Sequence, residues 1–347
     1  AASDVYKRQA HCCGHHAQMA GIFGAALALT VPEIAEKLGG QVVFFATPAE
    51  EYGEIEFKNQ LREQGKIRYG GGKCELIRTG AFDDIDLCLA HHIQPGDEIQ
   101  VGSGTGNGFV SKVIRYLGKA AHAAGAPDKG VNALSAASLG LQALGLNRET
   151  FRDEDCVRVH PIITKGGNLV NVIPDEIVIE TLVRAKTIEA FTDAAKKTDR
   201  SFQAGAVAMG AKVEITTLPG YLPTLAEQAL PELKRAAELA APEVPVREAA
   251  GHSGGSTDVG DVQHLMPVYT FNTGGVKGGL HQINFEVTNE EEAYIDTAKM
   301  FALAAYGLLK EKAARSKELV KNYKPVFKDS AEYTKFMEQF DSKEVLD

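Results

Sequence analysis

Cysteine and histidine side chains are concentrated in the stretch Ala10–Met19, which reads AHCCGHHAQM. Within it, a single glycine separates Cys13 from His15, so a thiolate and an imidazole can turn onto the same ion. These groups are the usual protein ligands of zinc and of neighbouring transition metals. The apolar, small-residue run Met19–Leu29 follows and predicts a buried helix that carries this loop on its N-terminus. The stretch predicts a metal site; an unordered tail or a cloning remnant is the alternative for such a run near a chain end.

Two later segments place further ligand-type side chains at the ends of predicted strands. The run Gln41–Thr47 is continuously apolar and rich in β-branched and aromatic residues, which predicts a buried parallel strand ending at Glu50 and Glu51. A second predicted strand ends in the pair His91 and His92. Open α/β sheets build their sites at the carboxyl ends of strands. The alternatives are that the two glutamates open the next helix, where acidic residues suit the helix dipole, and that the histidines are structural.

Three more polar residues lie in predicted loops. His122 precedes a helix, Asn171 lies in a turn before a strand, and His281 follows a glycine-rich stretch. Taken singly, His122 and Asn171 are more typical of a solvent-facing loop histidine and an ordinary turn residue than of a site, and for His281 a loop histidine is again the alternative.

Composition excludes several classes of function. The chain has 347 residues, of which 44% are hydrophobic and 24% charged, as in an ordinary globular protein of two domains. A net charge of −9 without a basic cluster argues against nucleic acid as a partner. No apolar run is long enough to span a membrane, and no signal peptide is visible. Five cysteines, an odd and small number, favour a reducing, cytoplasmic setting over a disulfide scaffold.

The order of predicted elements indicates an α/β protein in which one domain interrupts another. A glycine-rich hinge at Gly102–Gly108 separates a first part, 1–107, from a segment, 108–218, with the strand and helix order β-α-β-β-α-β. This is the ferredoxin-like order, and such a domain can pair with a twin across a two-fold axis. The α/β pattern resumes over 219–347 and ends in a charged tail, 311–347, predicted to be helical.

The segment Ala1–Gln9 has no initiator methionine and no periodicity, yet it leads straight into the predicted ligand loop. We expect that this segment is not native and that the N-terminal part of the natural protein is missing. Elements that pack beside the site would then be absent.

In their order and spacing, these motifs resemble the M20 family of metallopeptidases and amidohydrolases. The nearest branch contains an aminobenzoyl-glutamate hydrolase and the related M20 dipeptidases. The likeness covers about residues 10–312, and although each motif is weak alone, the series is specific. The matching stretches are CGH at 13–15, PAEE at 48–51, GGK at 71–73, GKAAHA around His122, NVIP from Asn171, Arg184, GSTDVGDV at 255–262, and His281.

The resemblance implies a zinc-peptidase-like catalytic domain with a mixed, mostly parallel sheet, interrupted by a ferredoxin-like lid and dimerisation domain. It also implies two divalent metal ions. One thiolate among nitrogen and oxygen ligands favours zinc, with manganese, cobalt and nickel as alternatives. The family's spacing before Pro95 selects His92 from its pair. The implied ligands are Cys13, His15, Glu51, His92 and His281.

Two positions depart from the family pattern and leave the ligand set open. His16 stands where the family usually has aspartate or asparagine, so it is either an additional ligand or a partner that orients one. Cys12 is an extra thiol and an alternative to Cys13. The charged segment 54–69 resembles an insertion beside the site that shapes the substrate pocket.

The resemblance also assigns roles outside the ligand set. Glu50 would be the general base, and His122, arriving from the partner subunit, would donate to the developing oxyanion. Arg184 would pair with a substrate carboxylate, and Asn171 would bind a substrate carbonyl or carboxylate.

The sequence thus predicts a cytoplasmic, homodimeric, metal-dependent amidohydrolase or peptidase that cuts a small N-acyl amino acid, such as an aminobenzoyl-glutamate-like compound, or a dipeptide. Deacylation and dipeptide cleavage are not separated by the sequence. The alternative from another class is a catalytically silent M20-like binding or assembly protein, or an inactive truncated fragment. The intact Glu50 and the full ligand set argue against that alternative.

Overall fold

The computed structural model describes residues 12–346, so Ala10 and His11 of the cysteine–histidine stretch, and the predicted non-native start, lie outside the described residues. In the described chain four α-helices come first, four strands follow, and helices and strands are interspersed after them. The helices are α1 (His15–Leu29), α2 (Pro32–Ala35), α3 (Ile55–Glu63), α4 (Gly72–Arg78), α5 (Ala133–Asn147), α6 (Ile188–Met209), α7 (Pro231–Ala240), α8 (Val259–Gln263), α9 (Thr297–Asn322) and α10 (Ser330–Met337). The strands are β1 (Cys88–Ile93), β2 (Ile99–Val101), β3 (Thr105–Gly106), β4 (Gly108–Leu117), β5 (Arg158–Val159), β6 (Ile162–Lys165), β7 (Glu176–Ala185), β8 (Lys212–Tyr221), β9 (Val246–Glu248), β10 (His252–Ser253), β11 (Val268–Thr273), β12 (Val276–Lys277), β13 (Glu286–Val287) and β14 (Ser342–Leu346).

A four-stranded mixed sheet in the order β1-β11-β2-β9 positions the first part of the site. β1 is parallel to β11, β11 is antiparallel to β2, and β2 is parallel to β9. Ile99 and Phe271 lie fully buried beneath α1, α7 and α9. Gly21 lets α1 approach α9 closely, because a Cβ there would lie 2.4 Å from the Thr297 methyl carbon. This packing fixes the N-terminus of α1, where His15 lies, against the carboxyl end of β1.

The strand predicted at Gln41–Thr47 is wrong. The segment has no regular secondary structure and pairs with no strand among residues 12–346, and Val43 and Phe44 are 44% and 39% exposed. Phe45 instead stacks on Phe82 at a ring separation of 4.6 Å. A run with high β propensity becomes a strand only where a neighbour supplies its backbone hydrogen bonds. In the described part of the chain, β1 is an edge strand with β11 as its one ladder partner, and this run forms no ladder with the other edge of β1.

A six-stranded antiparallel sheet forms the domain inserted after β3. Its order is β14-β8-β4-β7-β5, with β6 also paired to β7, and α5 and α6 pack together against it. The chain therefore follows the predicted ferredoxin-like order over β4–β8. The run predicted as one strand, Cys156–Thr164, forms the two short strands β5 and β6 because Pro161, which lacks an N–H group, lies between them.

The C-terminal tail was predicted to be helical, and that prediction needs a correction at its end. α10 is followed by β14, which pairs antiparallel with β8 and so joins the sheet of the inserted domain. Asp341, just before β14, binds Arg62 at 2.7 Å and Arg68 at 3.0 Å. The strand reads SKEVL, in which polar and apolar residues do not alternate, and this explains why the sequence did not reveal an edge strand. The boundaries predicted near residues 107 and 218 stay predictions.

Two further observations concern the chain as a whole. None of the helices in residues 12–346 is both long enough and apolar enough to cross a bilayer. Across the same residues, none of the five cysteines forms a disulfide. The predicted cytoplasmic location stays a prediction.

Candidate metal centre

The turn Cys13–Gly14–His15 presents two ligand-type side chains from the start of α1. Gly14 has a left-handed backbone, with φ at +82°, and a Cβ there would lie 1.9 Å from the Ile93 Cγ2 atom. Only glycine fits this turn, because it tolerates the left-handed region and leaves room for β1. The glycine therefore lets Cys13 and His15 approach the end of β1 together.

The Glu50–Glu51 pair is held by its backbone rather than by a sheet. The Gly72 N–H donates to the Ala49 carbonyl at 3.1 Å, and the Tyr221 hydroxyl donates to the Glu50 carbonyl. Lys58 Nζ donates to the Glu51 carbonyl at 2.7 Å. The start of α4, the end of β8 and α3 thus replace the ladder that was expected to position these carboxylates.

The structure brings the five predicted ligands into one cluster. Glu51 Oε1 lies 3.3 Å from His15 Nε2 and 3.6 Å from His281 Nε2. Cys13 Sγ lies 3.4 Å from His92 Nε2. The donor atoms form two groups, and within each group all of them lie within 4.8 Å of one another. Cys13, Glu51 and His281 form one group, and His15, Glu50 and Glu51 form the other. Glu51 belongs to both groups, so its carboxylate lies where it could bridge two ions.

Hydrogen bonds fix the orientation of the imidazoles. His15 Nδ1 lies 3.0 Å from Gln18 Oε1, and His92 Nδ1 lies 2.6 Å from the Ile93 carbonyl. In each ring the other nitrogen, Nε2, is left to face the cluster, which is the arrangement that metal-ligating histidines show. His91 points the opposite way, as alternation along a strand requires, and its Nε2 lies 2.8 Å from Thr273 Oγ1 in the core.

His281 is held in an unusual conformation. Its φ is +61°, in the left-handed region that residues with a Cβ rarely adopt, and its N–H donates to the Cys12 carbonyl at 2.7 Å. Such strained positions concentrate at functional sites. The Cys12 carbonyl thus holds the backbone of His281 in place. His16 lies against the rings of Phe285 and Tyr294, at 6.4 and 5.8 Å between centroids.

The charges of the cluster are unbalanced in a way that suits cations. The hydrogen bond with His15 holds the pKa of Glu51 at about 2, so this carboxylate is ionised. Burial, followed by the charge of Glu51, raises the pKa of the Cys13 thiol to about 12. Burial, followed by the charge of Asp258, also raises the pKa of Glu50. Thiol, imidazole and carboxylate donors gathered in one cluster fit divalent transition metals, which would draw the thiol to its thiolate form.

Three residues next to the cluster had matched family motifs in the sequence without being given a role. Lys73 Nζ forms an ion pair with Asp258 Oδ1 at 2.6 Å, and Asp258 is fully buried. The Thr257 hydroxyl donates to Glu50 Oε1 at 2.9 Å. The sequence signals for these residues are the two family motifs in which they lie, GGK and GSTDVGDV, but neither motif reveals that Lys73 pairs with Asp258.

The remaining predicted site residues lie in the inserted domain. His122 and Asn171 are exposed neighbours of each other: the Asn171 carbonyl accepts from the Ala123 N–H at 3.0 Å, and His122 Nδ1 accepts from the Gly125 N–H at 2.9 Å. The structure does not bring them into the ligand cluster of their own chain. Arg184, near the end of β7, donates to Ser256 Oγ at 2.9 Å.

Comparison of the sequence with known proteins identifies one family of peptidases and several relatives. The sequence model of peptidase family M20/M25/M40 matches residues 2–306. A Xaa-Arg dipeptidase of Mus musculus is 27% identical over 332 residues, which cover 93% of this chain and 69% of the relative. A p-aminobenzoyl-glutamate hydrolase chain of Escherichia coli is 30% identical over 176 residues, or 50% of this chain and 32% of the relative.

Among solved structures, the YXEP protein of Bacillus subtilis, a dinuclear metal binding peptidase from the M20 family, has a similar fold. The TM-score is 0.57 at 23% identity, and the match covers 86% of this chain and 73% of that one. An aminobenzoyl-glutamate utilization protein from Klebsiella pneumoniae matches with a TM-score of 0.59 at 20% identity, over 84% of this chain and 67% of that one.

Proposed function

This chain belongs to peptidase family M20/M25/M40 and is a metal-dependent peptidase or amidohydrolase, and from that premise we propose that it hydrolyses the amide bond of a small N-acyl amino acid or dipeptide. One observation carries the proposal. A carboxylate shared by two donor groups, Glu51, lies beside a second carboxylate, Glu50, whose Oε1 accepts from the Thr257 hydroxyl while its Oε2 faces His15. A second acid held in this way beside the proposed ligands is available to carry a proton.

Two divalent ions are the cofactor that this donor set fits. Bound there, they would supply polarisation of the scissile carbonyl and acidification of a water. Zinc is favoured by the cysteine, with manganese, cobalt and nickel as alternatives. The residues proposed to hold the ions are Cys13, His15, Glu51, His92 and His281.

Glu50 is the group proposed to move the proton. Its carboxylate takes a proton from the attacking water while the water oxygen bonds to the carbonyl carbon. It then delivers that proton to the amide nitrogen, and the carbon–nitrogen bond breaks to release an acid and an amine. Burial, which raises the pKa of Glu50, brings its basicity closer to that of the groups between which it carries the proton.

Substrate binding is proposed for three residues of the inserted domain. The Arg184 guanidinium, near the end of β7, would pair with the substrate carboxylate in place of its present contact with Ser256. Asn171 would bind the substrate carbonyl or carboxylate, and His122 would donate to the developing oxyanion. We propose that the last two reach the ligand cluster of a partner subunit in a homodimer.

The exposed edge of the inserted sheet supports that homodimer. β6 is exposed along its whole length, and Ile162 and Ile163 on it are 52% and 44% exposed. Nearby Leu169 and Val170 are also exposed, and the second of them precedes Asn171. An open edge strand with apolar side chains is suited to pairing with another copy. Such pairing would carry His122 and Asn171 toward a second chain.

The experiment that tests the proposal combines metal analysis with a substrate panel. Protein purified without chelator is expected to hold close to two equivalents of a transition metal per chain by elemental mass spectrometry, and to release amine from acyl-amino acids or dipeptides. Glu50→Gln should keep the metal and lose roughly a hundredfold or more in kcat. Glu36→Gln, at an exposed glutamate, is the matched control. Near-zero metal after reconstitution, or normal turnover by Glu50→Gln, would refute the proposal.

A further inference from the structure

The segment 255–258 makes three consecutive side-chain contacts across the centre. Ser256 Oγ accepts from Arg184 at 2.9 Å, and Thr257 Oγ1 donates to Glu50 Oε1 at 2.9 Å. The next residue, Asp258, binds Lys73. One short stretch of chain thus touches both the proposed substrate anchor and the proposed base.

The contact with Thr257 leaves Glu50 with two inequivalent oxygens. Oε1 accepts from the hydroxyl, while Oε2 lies 3.8 Å from His15 Nε2 and faces the ligand cluster. The last torsion of a glutamate side chain is soft, so a carboxylate without such a partner can rotate and tilt. The hydroxyl therefore selects which oxygen points at the reacting water.

Thr257 is held in place through the next residue, Asp258, which is fully buried and forms an ion pair with Lys73. Both carboxylate oxygens of Asp258 are used by Lys73, Oδ1 by the ammonium at 2.6 Å and Oδ2 by the backbone N–H at 2.9 Å. The adjacent N–H, from Gly72, donates to the Ala49 carbonyl. The first turn of α4 thereby binds the segment that carries Glu50 and the segment that carries Thr257, so the two cannot shift independently.

We propose that Thr257 is a positioning residue that orients the Glu50 carboxylate for proton transfer, held in register by the Lys73–Asp258 pair. The inference rests on the proposed function, because it presumes that Glu50 is the base. It predicts a loss in kcat rather than in substrate affinity, since the hydroxyl acts through Glu50 and not on the substrate.

Three variants test this role. Thr257→Val keeps the shape and removes the donor, and we expect kcat to fall roughly 10- to 100-fold with KM within about twofold and metal content unchanged. Thr257→Ser restores the hydroxyl and should return kcat to within about threefold of the wild type. Thr270→Val is the matched control, because it removes a threonine hydroxyl that donates to another carboxylate, Glu227, at 3.2 Å outside the centre. It should leave kcat and KM unchanged.

Crystal structures of the metal-loaded wild type and of Thr257→Val provide a readout that does not need turnover. The Glu50 carboxylate should turn away from its wild-type position in the variant. An unmoved carboxylate, a wild-type kcat in Thr257→Val, or loss of metal from that variant would each overturn the positioning role. If the wild type cleaves nothing while Glu50 moves in the variant, the proposed function fails and the positioning contact stands.

Discussion

Gly14 sets the geometry of the centre at the scale of single residues. It combines a left-handed backbone with a space that Ile93 fills completely, so two independent costs oppose any side chain there. Gly65 has the same handedness, with φ at +69°, but a Cβ there would meet nothing within 4 Å. Comparing an alanine substitution at Gly14 with one at Gly65 therefore separates the cost of the left-handed backbone from the cost of the steric clash.

We expect Gly65→Ala to lower the free energy of unfolding by about 1–2 kcal/mol, the cost of a left-handed residue with a Cβ. Gly14→Ala should lower it by clearly more, because β1 must also move, and it should lose metal while Gly65→Ala keeps it. Urea denaturation and elemental analysis of the two variants make the comparison. Equal destabilisation with full metal content in both would contradict this account of the turn.

Glu227 shows how a buried group joins elements away from the centre. It precedes α7 in the chain, and it accepts hydrogen bonds from the Thr270 N–H at 2.6 Å and from Gln263 at 3.4 Å, so it ties this segment to β11 and α8. Burial raises its pKa from the ordinary 4.5 to about 8.

Between pH 4.5 and about 8, the folded chain therefore holds a proton at Glu227 that the unfolded chain releases. The free energy of unfolding should fall as the pH rises through this window and level off above it. Glu227→Gln should remove that part of the dependence, so its melting temperature relative to the wild type should be higher at pH 8 than at pH 5. Glu238→Gln, at an exposed glutamate of α7, is the control for thermal melts at several pH values. An identical pH slope in Glu227→Gln and the wild type would contradict the assignment.

The elements show where sequence information was sufficient and where it was not. The alternating strands and amphipathic helices of the inserted domain gave its order, and the CGH and PAEE motifs led to the residues that now cluster. The strand prediction for Gln41–Thr47 was wrong because β propensity does not specify which strand a run will pair with. The sequence did not predict the pairing of β14 with β8, because the two strands lie more than a hundred residues apart and the pattern of β14 is that of a charged tail. The Lys73–Asp258 ion pair is likewise a long-range contact, visible only once α4 and α8 are packed together.

At the scale of the whole molecule, the proposed mechanism needs a group from a second chain. The ligand cluster and Glu50 come from one chain, while the oxyanion donor proposed for them, His122, is exposed and bonded within its own loop. A single chain then holds the base without the oxyanion donor, so activity should depend on association.

His122→Ala should lower kcat by roughly a hundredfold without changing metal content. When it is mixed with Glu50→Gln and the subunits are allowed to exchange, one site in each hybrid dimer regains both groups, so about a quarter of wild-type activity should return. Native mass spectrometry of the mixture confirms that hybrids have formed. Hybrids without recovered activity would exclude a role for His122 across subunits.

The pairing of β14 with β8 also determines what kind of assembly this sheet can build. A sheet with two open edges can add copies at both ends and grow into a filament, whereas a sheet with one open edge stops after a single partner. In the described residues β14 forms one edge and presents the charged Lys343 and Glu344, whereas β5 and β6 form the other edge, where Ile162 and Ile163 are exposed. Charged side chains on an edge strand oppose its pairing with another chain, so the edge of β5 and β6 is the one suited to a second copy.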